Sequence, residues 1–186
     1  LRPYSNTEAP LLREFYRTLE DYDRRIIIIL DTKGECAHAD LFAKAFSDYL
    51  REEQKGVAAV TFGQTKNEMM MACLEDRDYC FFDVYSRYYS SKHISRMSQL
   101  IDDCMLGRKT HFRSKFESKF GHEGDGPRFF IFCTNDLDNL WFISCYGRDH
   151  ASIIDVSDLP DIYGEWNITP KYLGERFDEI RSEART

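Results

Sequence analysis

Five consecutive apolar residues, Ile26–Leu30, four of them isoleucine, follow the arginine pair Arg24-Arg25. Branching at Cβ favours extended backbone. A run with no polar alternation also leaves no face for water. It suits a strand buried on both sides, as in a parallel sheet covered by helices above and below.

The rest of the chain supplies partners for such a strand. Val57–Phe62, Tyr79–Val84, Arg128–Thr134 and Ser152–Val156 read as further strands, Tyr79–Val84 ending at Asp83 and Arg128–Thr134 running into Asn135. Between and around them, Thr7–Glu20, Leu41–Glu53, Lys66–Leu74, Ile94–Leu106 and Leu173–Arg185 carry helical patterns, with Leu11, Leu12, Phe15 and Leu19 on one face of the first. Asp31–His38 reads as a turn, Lys109–Phe120 as extended and Gly121–Gly126 as a Gly-rich turn. Strands alternating with helices predict an α/β fold with a mostly parallel central sheet. Ligands in such sheets gather at the carboxyl ends of the strands. Three ends matter here: the turn after Leu30, Asp83 and Asn135.

The 186 residues suit one domain, and 42% hydrophobic content is enough for a core. No apolar run approaches the ~20 residues of a membrane helix, so no membrane partner is expected. Six cysteines, Cys36, Cys73, Cys80, Cys104, Cys133 and Cys145, lack the paired spacing of a metal site. They read as free thiols in an intracellular reducing compartment; whether nucleus, cytoplasm or organelle stays open. The chain begins at Leu1, as expected of a processed or partial chain.

A strand, a Gly-containing turn and a helix make the setting of a phosphate loop. There, backbone N–H groups wrap phosphates, a lysine neutralises them and a Ser or Thr hydroxyl holds Mg²⁺. Here the loop would run Lys33-Gly34-Glu35-Cys36-Ala37-His38-Ala39. His38 stands at the lysine position and Ala39 at the hydroxyl position. An imidazole is shorter than lysine and carries little charge at neutral pH. Alanine cannot ligate a cation at all.

Several segments, in collinear order, resemble the superfamily 3 helicase domain of Rep (replication initiator) proteins of circular single-stranded DNA viruses and their satellites. Leu1-Arg2-Pro3-Tyr4 is similar to that family's lead-in, and Arg24-Arg25-Ile26 through Gly34 to its first strand and the start of its phosphate loop. Leu41-Phe42-Ala43-Lys44 resembles the following helix. Phe82-Asp83-Val84-Tyr85-Ser86-Arg87 resembles its Walker B segment, and Gly107 through Arg113-Ser114-Lys115-Phe116-Glu117 its basic hairpin. Arg128 through Asn135 resembles its sensor strand.

The resemblance implies a P-loop NTPase-like, AAA+/superfamily 3 three-layer sandwich. It would comprise a helical lead-in over 1–24, a core over 25–156 and a helical tail over 157–186. It further implies an ATP–Mg²⁺ site, weakened here by His38 and Ala39 and by the acids Glu35 and Asp40 beside it, so that no cofactor is certain. Asp83 would be the metal-holding acid, Asn135 the γ-phosphate sensor and Arg148 an arginine finger reaching a neighbour's nucleotide, all three vestigial in an inactive chain. The family's endonuclease domain has no counterpart in this sequence.

The resemblance also gives meaning to a charge contrast. The chain carries −7 overall, yet residues 87–119 carry +5 and the remainder −12. Lys109, Arg113, Lys115 and Lys119 alternate with Phe112, Phe116 and Phe120, a pattern that tracks phosphates and stacks bases. This segment reads as a single-stranded DNA or RNA contact, or as a solvated hairpin with its aromatic residues in a core. With His38 and Ala39 in place, the expectation is a degenerate helicase-like pseudoenzyme of viral origin. It would serve as a structural, interaction or nucleic-acid-associated module in a larger assembly, with protein partners. The alternative is an active DNA helicase with an atypical loop in which Lys33 or Lys44 replaces the missing lysine.

Overall fold

A computed structural model of the chain describes residues 8–21, 24–33, 37–60, 78–84, 91–106, 127–157 and 169–184. In order these form α1 (Glu8–Glu20), β1 (Ile26–Leu30), α2 (Ala37–Glu52), β2 (Val57–Val60), β3 (Tyr79–Asp83), α3 (Ser91–Leu106) and β4 (Phe129–Thr134). A 3-10 turn (Leu137–Leu140), α4 (Cys145–Asp149), β5 (Ala151–Asp155) and α5 (Pro170–Ala184) follow. The proposed Met-rich helix, the extended basic segment and the Gly-rich turn lie outside the described residues.

The strands make one sheet in the order β2-β3-β4-β1-β5. Every pairing is parallel. The isoleucine run therefore lies inside the sheet, between β4 and β5, and all five of its residues are buried. The parallel α/β architecture expected from that run is present.

Alternation along the strands divides the core into two layers. Ile27, Ile29, Phe81, Ile131, Cys133 and Ile154 face α1, α2 and α5 in one apolar cluster, with Phe15, Phe42, Phe46 and Phe177 from those helices. Phe15 meets Phe42 and Phe46 edge-on at 5.0 and 4.7 Å between ring centres. The first and last described helices thus belong to the core. On the opposite face Phe82 stacks on Phe132 at 4.8 Å, and Phe132 meets Phe142 edge-on at 5.9 Å. Cys80, Cys104 and Cys133 are buried free thiols, and Cys145 is an exposed one.

Two elements differ from the sequence reading in ways that shape the site. Helix α2 begins at Ala37, four residues earlier than the pattern predicts, so His38, Ala39 and Asp40 form its first turn. The connection from β4 to β5 contains two short helical pieces that the pattern does not announce. Asp136 caps the first, accepting from the Asp138 N–H, and Ser144 caps the second, accepting from the Gly147 N–H.

Candidate functional site

The carboxyl ends of β1, β4 and β3 lie side by side, because β4 separates the other two strands. Backbone hydrogen bonds extend that contact past the strands. The Asp31 N–H donates to the Thr134 carbonyl at 3.0 Å, and the Val84 N–H to the Cys133 carbonyl at 2.8 Å. The turn after Leu30, Asn135 and Asp83 therefore share one rim, as their places at strand ends led one to expect.

Asp31 organises the turn. Its carboxyl group is fully buried. Oδ1 accepts from the Lys33 N–H and Oδ2 from the His38 N–H, both at 3.1 Å. A carboxylate at the start of a helix satisfies an N–H that has no intrahelical partner, and it complements the positive end of the helix dipole. These are also the donors a phosphate would need. The neighbouring Thr32 is fixed from the other side. Its N–H and hydroxyl both reach Ser157 Oγ, at 2.8 and 3.1 Å.

The early start of α2 decides what the two substituted positions do. Ala39 has no exposed surface and belongs to the apolar cluster under the sheet. His38 is buried as well. Neither is displayed as a phosphate or magnesium ligand would be. Lys33 is exposed on the turn, while Gly34 lies outside the described residues.

Asp83 reaches solvent at the end of β3. Partial burial, and after it the Asp40 carboxylate in the first turn of α2, push its pKa up from the ordinary 3.8. Asp40 thus lies near enough for its charge to be felt at Asp83. Among the described residues no group of three or more His, Cys, Asp or Glu side chains could hold a metal ion. With Ala39 in the core and the His38 N–H already engaged by Asp31, these two described positions offer neither a hydroxyl for Mg²⁺ nor a free N–H for a phosphate.

Asn135 is exposed, and a residue that sequence reasoning missed holds it in place. Asn139 is buried in the 3-10 turn. Its Nδ2 donates to Asn135 Oδ1 at 2.9 Å and lies 3.3 Å from Thr134 Oγ1 and 3.4 Å from the Val84 carbonyl. It thereby joins the ends of β3 and β4. The acceptor side of the Asn135 amide is thereby occupied.

Arg148 lies apart from this rim. It sits on α4, which leads into the amino end of β5, and its Nη2 donates to the Leu140 and Trp141 carbonyls at 3.3 and 3.2 Å. Asp83 and Asn135 are brought to one rim, and Arg148, expected to act on a neighbour's nucleotide, is held on α4. Lys109, Arg113, Lys115 and Lys119 lie outside the described residues. Among those described, no helix is long and apolar enough to cross a membrane.

The chain matches no protein-family model and no curated protein.

Proposed function

We propose that the chain is a Rep-type, superfamily 3 helicase-like domain of P-loop ancestry whose phosphate loop has become degenerate. In this reading it is a structural or nucleic-acid-associated module of a larger assembly, without efficient ATP hydrolysis. The observation that carries the reading is the combination at one rim. The strand order places the Asn135 strand between the loop strand and the Asp83 strand, as a helicase-type ATP site needs. Within that frame, Asp31 occupies the His38 N–H, and Ala39 is packed in the core. Losing one preorganised charge-stabilising group typically costs about 10²–10³ in rate. The loop lacks two, the lysine and the hydroxyl.

The +5 segment over 87–119 supports the nucleic-acid part of the reading. Binding to single-stranded DNA and RNA across a salt series tests it, with Lys109, Arg113 and Lys115 neutralised together in a second chain. The expected result is salt-sensitive binding whose slope flattens in the variant. No binding by either chain removes the nucleic-acid role, and equal binding by both removes Lys109, Arg113 and Lys115 from it.

The survival of Asp83 and Asn135 at one rim favours a second reading, an active ATP-dependent helicase with an unusual loop. ATP hydrolysis that disappears in Asp83→Asn would establish it over the first. Absence of any heat with millimolar ATP and Mg²⁺ would remove it.

A further inference from the structure

Among the described residues, nothing covers the sheet face opposite α1, α2 and α5 out to its β5 edge. Between β1, β5 and the connection carrying the 3-10 turn and α4 lies a cavity of about 610 Å³. Ile28 and Ile153, register neighbours on β1 and β5, form part of its lining. Leu137 and Trp141 line it from the connection. Three of these large apolar side chains are unusually open: Leu137 at 42%, Trp141 at 47% and Ile153 at 45% exposure. Apolar groups gathered on one concave surface mark a binding site more often than a scatter of single exposed residues does.

Among the described residues, its charged lining consists of Arg148 and Asp138. Arg148 is held by two carbonyls through Nη2, which fixes the guanidinium without neutralising it. Among the described residues no carboxylate lies within ion-pair distance of it. Asp138 also lines the cavity, from the 3-10 turn next to the carboxyl end of β4. The two charges thus come from opposite ends of the connection.

We infer that this cavity binds a small amphipathic anion, an apolar or aromatic body bearing one carboxylate. The carboxylate would meet Arg148, the body would lie along Ile28, Ile153 and Trp141, and the uncharged end would point toward Asp138. Volume argues for a small molecule. Sites for such ligands span about 300–1,000 Å³ and combine apolar walls with a few polar groups. A protein partner needs about 800 Å² of surface from each side, far more than one such cleft supplies. The inference stands apart from the proposed helicase ancestry and uses none of the rim residues.

Octanoate and its uncharged counterpart octanol are the probes, and the fluorescence of Trp141 in a Trp166→Phe chain is the readout. Octanoate is expected to give a saturable change and to bind about tenfold more tightly than octanol. Arg148→Gln should erase that preference, and Arg148→Lys should keep part of it. Ile153→Asp should weaken both ligands. No saturable change in the folded chain overturns the inference, as does equal affinity for the two probes. Both outcomes are read without the Arg148 variants, so they hold even if those variants fold poorly. Repeating the titration with Lys109, Arg113 and Lys115 neutralised separates this site from nucleic-acid binding: octanoate affinity should be unchanged, and a loss there overturns the assignment to the cavity.

Discussion

Asn139 gives an amide proton to Asn135 at 2.9 Å, and through the same nitrogen faces the Val84 carbonyl and Thr134 Oγ1. One buried side chain thus ties two strand ends. Asn139→Ala would leave those acceptors without that donor. We expect a loss of about 1–3 kcal/mol in urea unfolding. Asn135→Ala exposes no buried group and should cost under about 1 kcal/mol. Their double-mutant cycle should show coupling, and strictly additive losses would mean that the contact contributes nothing.

Asp31 holds two backbone N–H groups from full burial. Asp31→Ala should destabilise the fold by about 1.5–3 kcal/mol, the range for hydrogen bonds to a charged group. The His38 amide should then exchange with solvent much faster, as followed by NMR. Unchanged exchange at that amide would show that the carboxylate does not hold the start of α2.

The raised pKa of Asp83 sets a direction for pH dependence. The folded state holds this proton more tightly than the unfolded state. Stability from this group is therefore fully present below the ordinary value of 3.8 and is lost as pH rises through the raised folded value. At neutral pH the ionised carboxylate is a cost. Asp83→Asn should raise the urea midpoint at pH 7 and leave it unchanged at pH 3. Asp40→Asn should give a smaller gain, since burial outweighs the Asp40 charge in causing the shift.

Tyr79 is stacked on Phe129 at 5.3 Å and meets Phe46 edge-on at 5.6 Å. Burial, with Asp78 nearby, pushes its phenol from 10.0 up to about 12. In an alkaline titration followed by ultraviolet absorbance, one late-ionising tyrosine should vanish in Tyr79→Phe. The same shift makes Tyr79 a source of stability that is lost as pH climbs from 10 through 12, and the Phe variant should lack that loss.

Gly147 is a matter of space. A Cβ there would come within 2.8 Å of Ile143 Cγ2 and 3.1 Å of Ile26 Cδ1. Both isoleucines are buried. Gly147→Ala should cost about 1–3 kcal/mol through overpacking, measured as a lower unfolding midpoint.

Most strands were legible because they are short apolar runs, and the parallel sheet followed from the burial of the isoleucine run on both faces. The start of α2 was not legible, since Asp31 caps it from seven residues away through a bond that exists once the turn is folded. A local pattern therefore began the helix at Leu41 instead of Ala37. Asn139 carried no signal either: one asparagine in a short polar stretch is ordinary until β3 is brought beside β4. The caps Asp136 and Ser144 were available signals for the two short helical pieces, but helices of one turn have too few residues for a period to show. Asp83 and Asn135 were found because they end strands, and strand ends meet. Arg148 was placed by resemblance alone, as a finger for a neighbour's nucleotide; within the chain its guanidinium is held by the Leu140 and Trp141 carbonyls.

The strand order also bears on how the chain reaches this state. Ile26 pairs with Phe130 on one side and Ala151 on the other, more than a hundred residues downstream. During synthesis the isoleucine strand therefore emerges long before either neighbour exists. Such distant pairings make folding slow, and an unpaired, fully apolar strand is a template for aggregation meanwhile. A nascent or truncated chain ending before Ala151 would carry this strand with one edge open, and we expect such chains to depend on chaperones in a way the finished sheet does not.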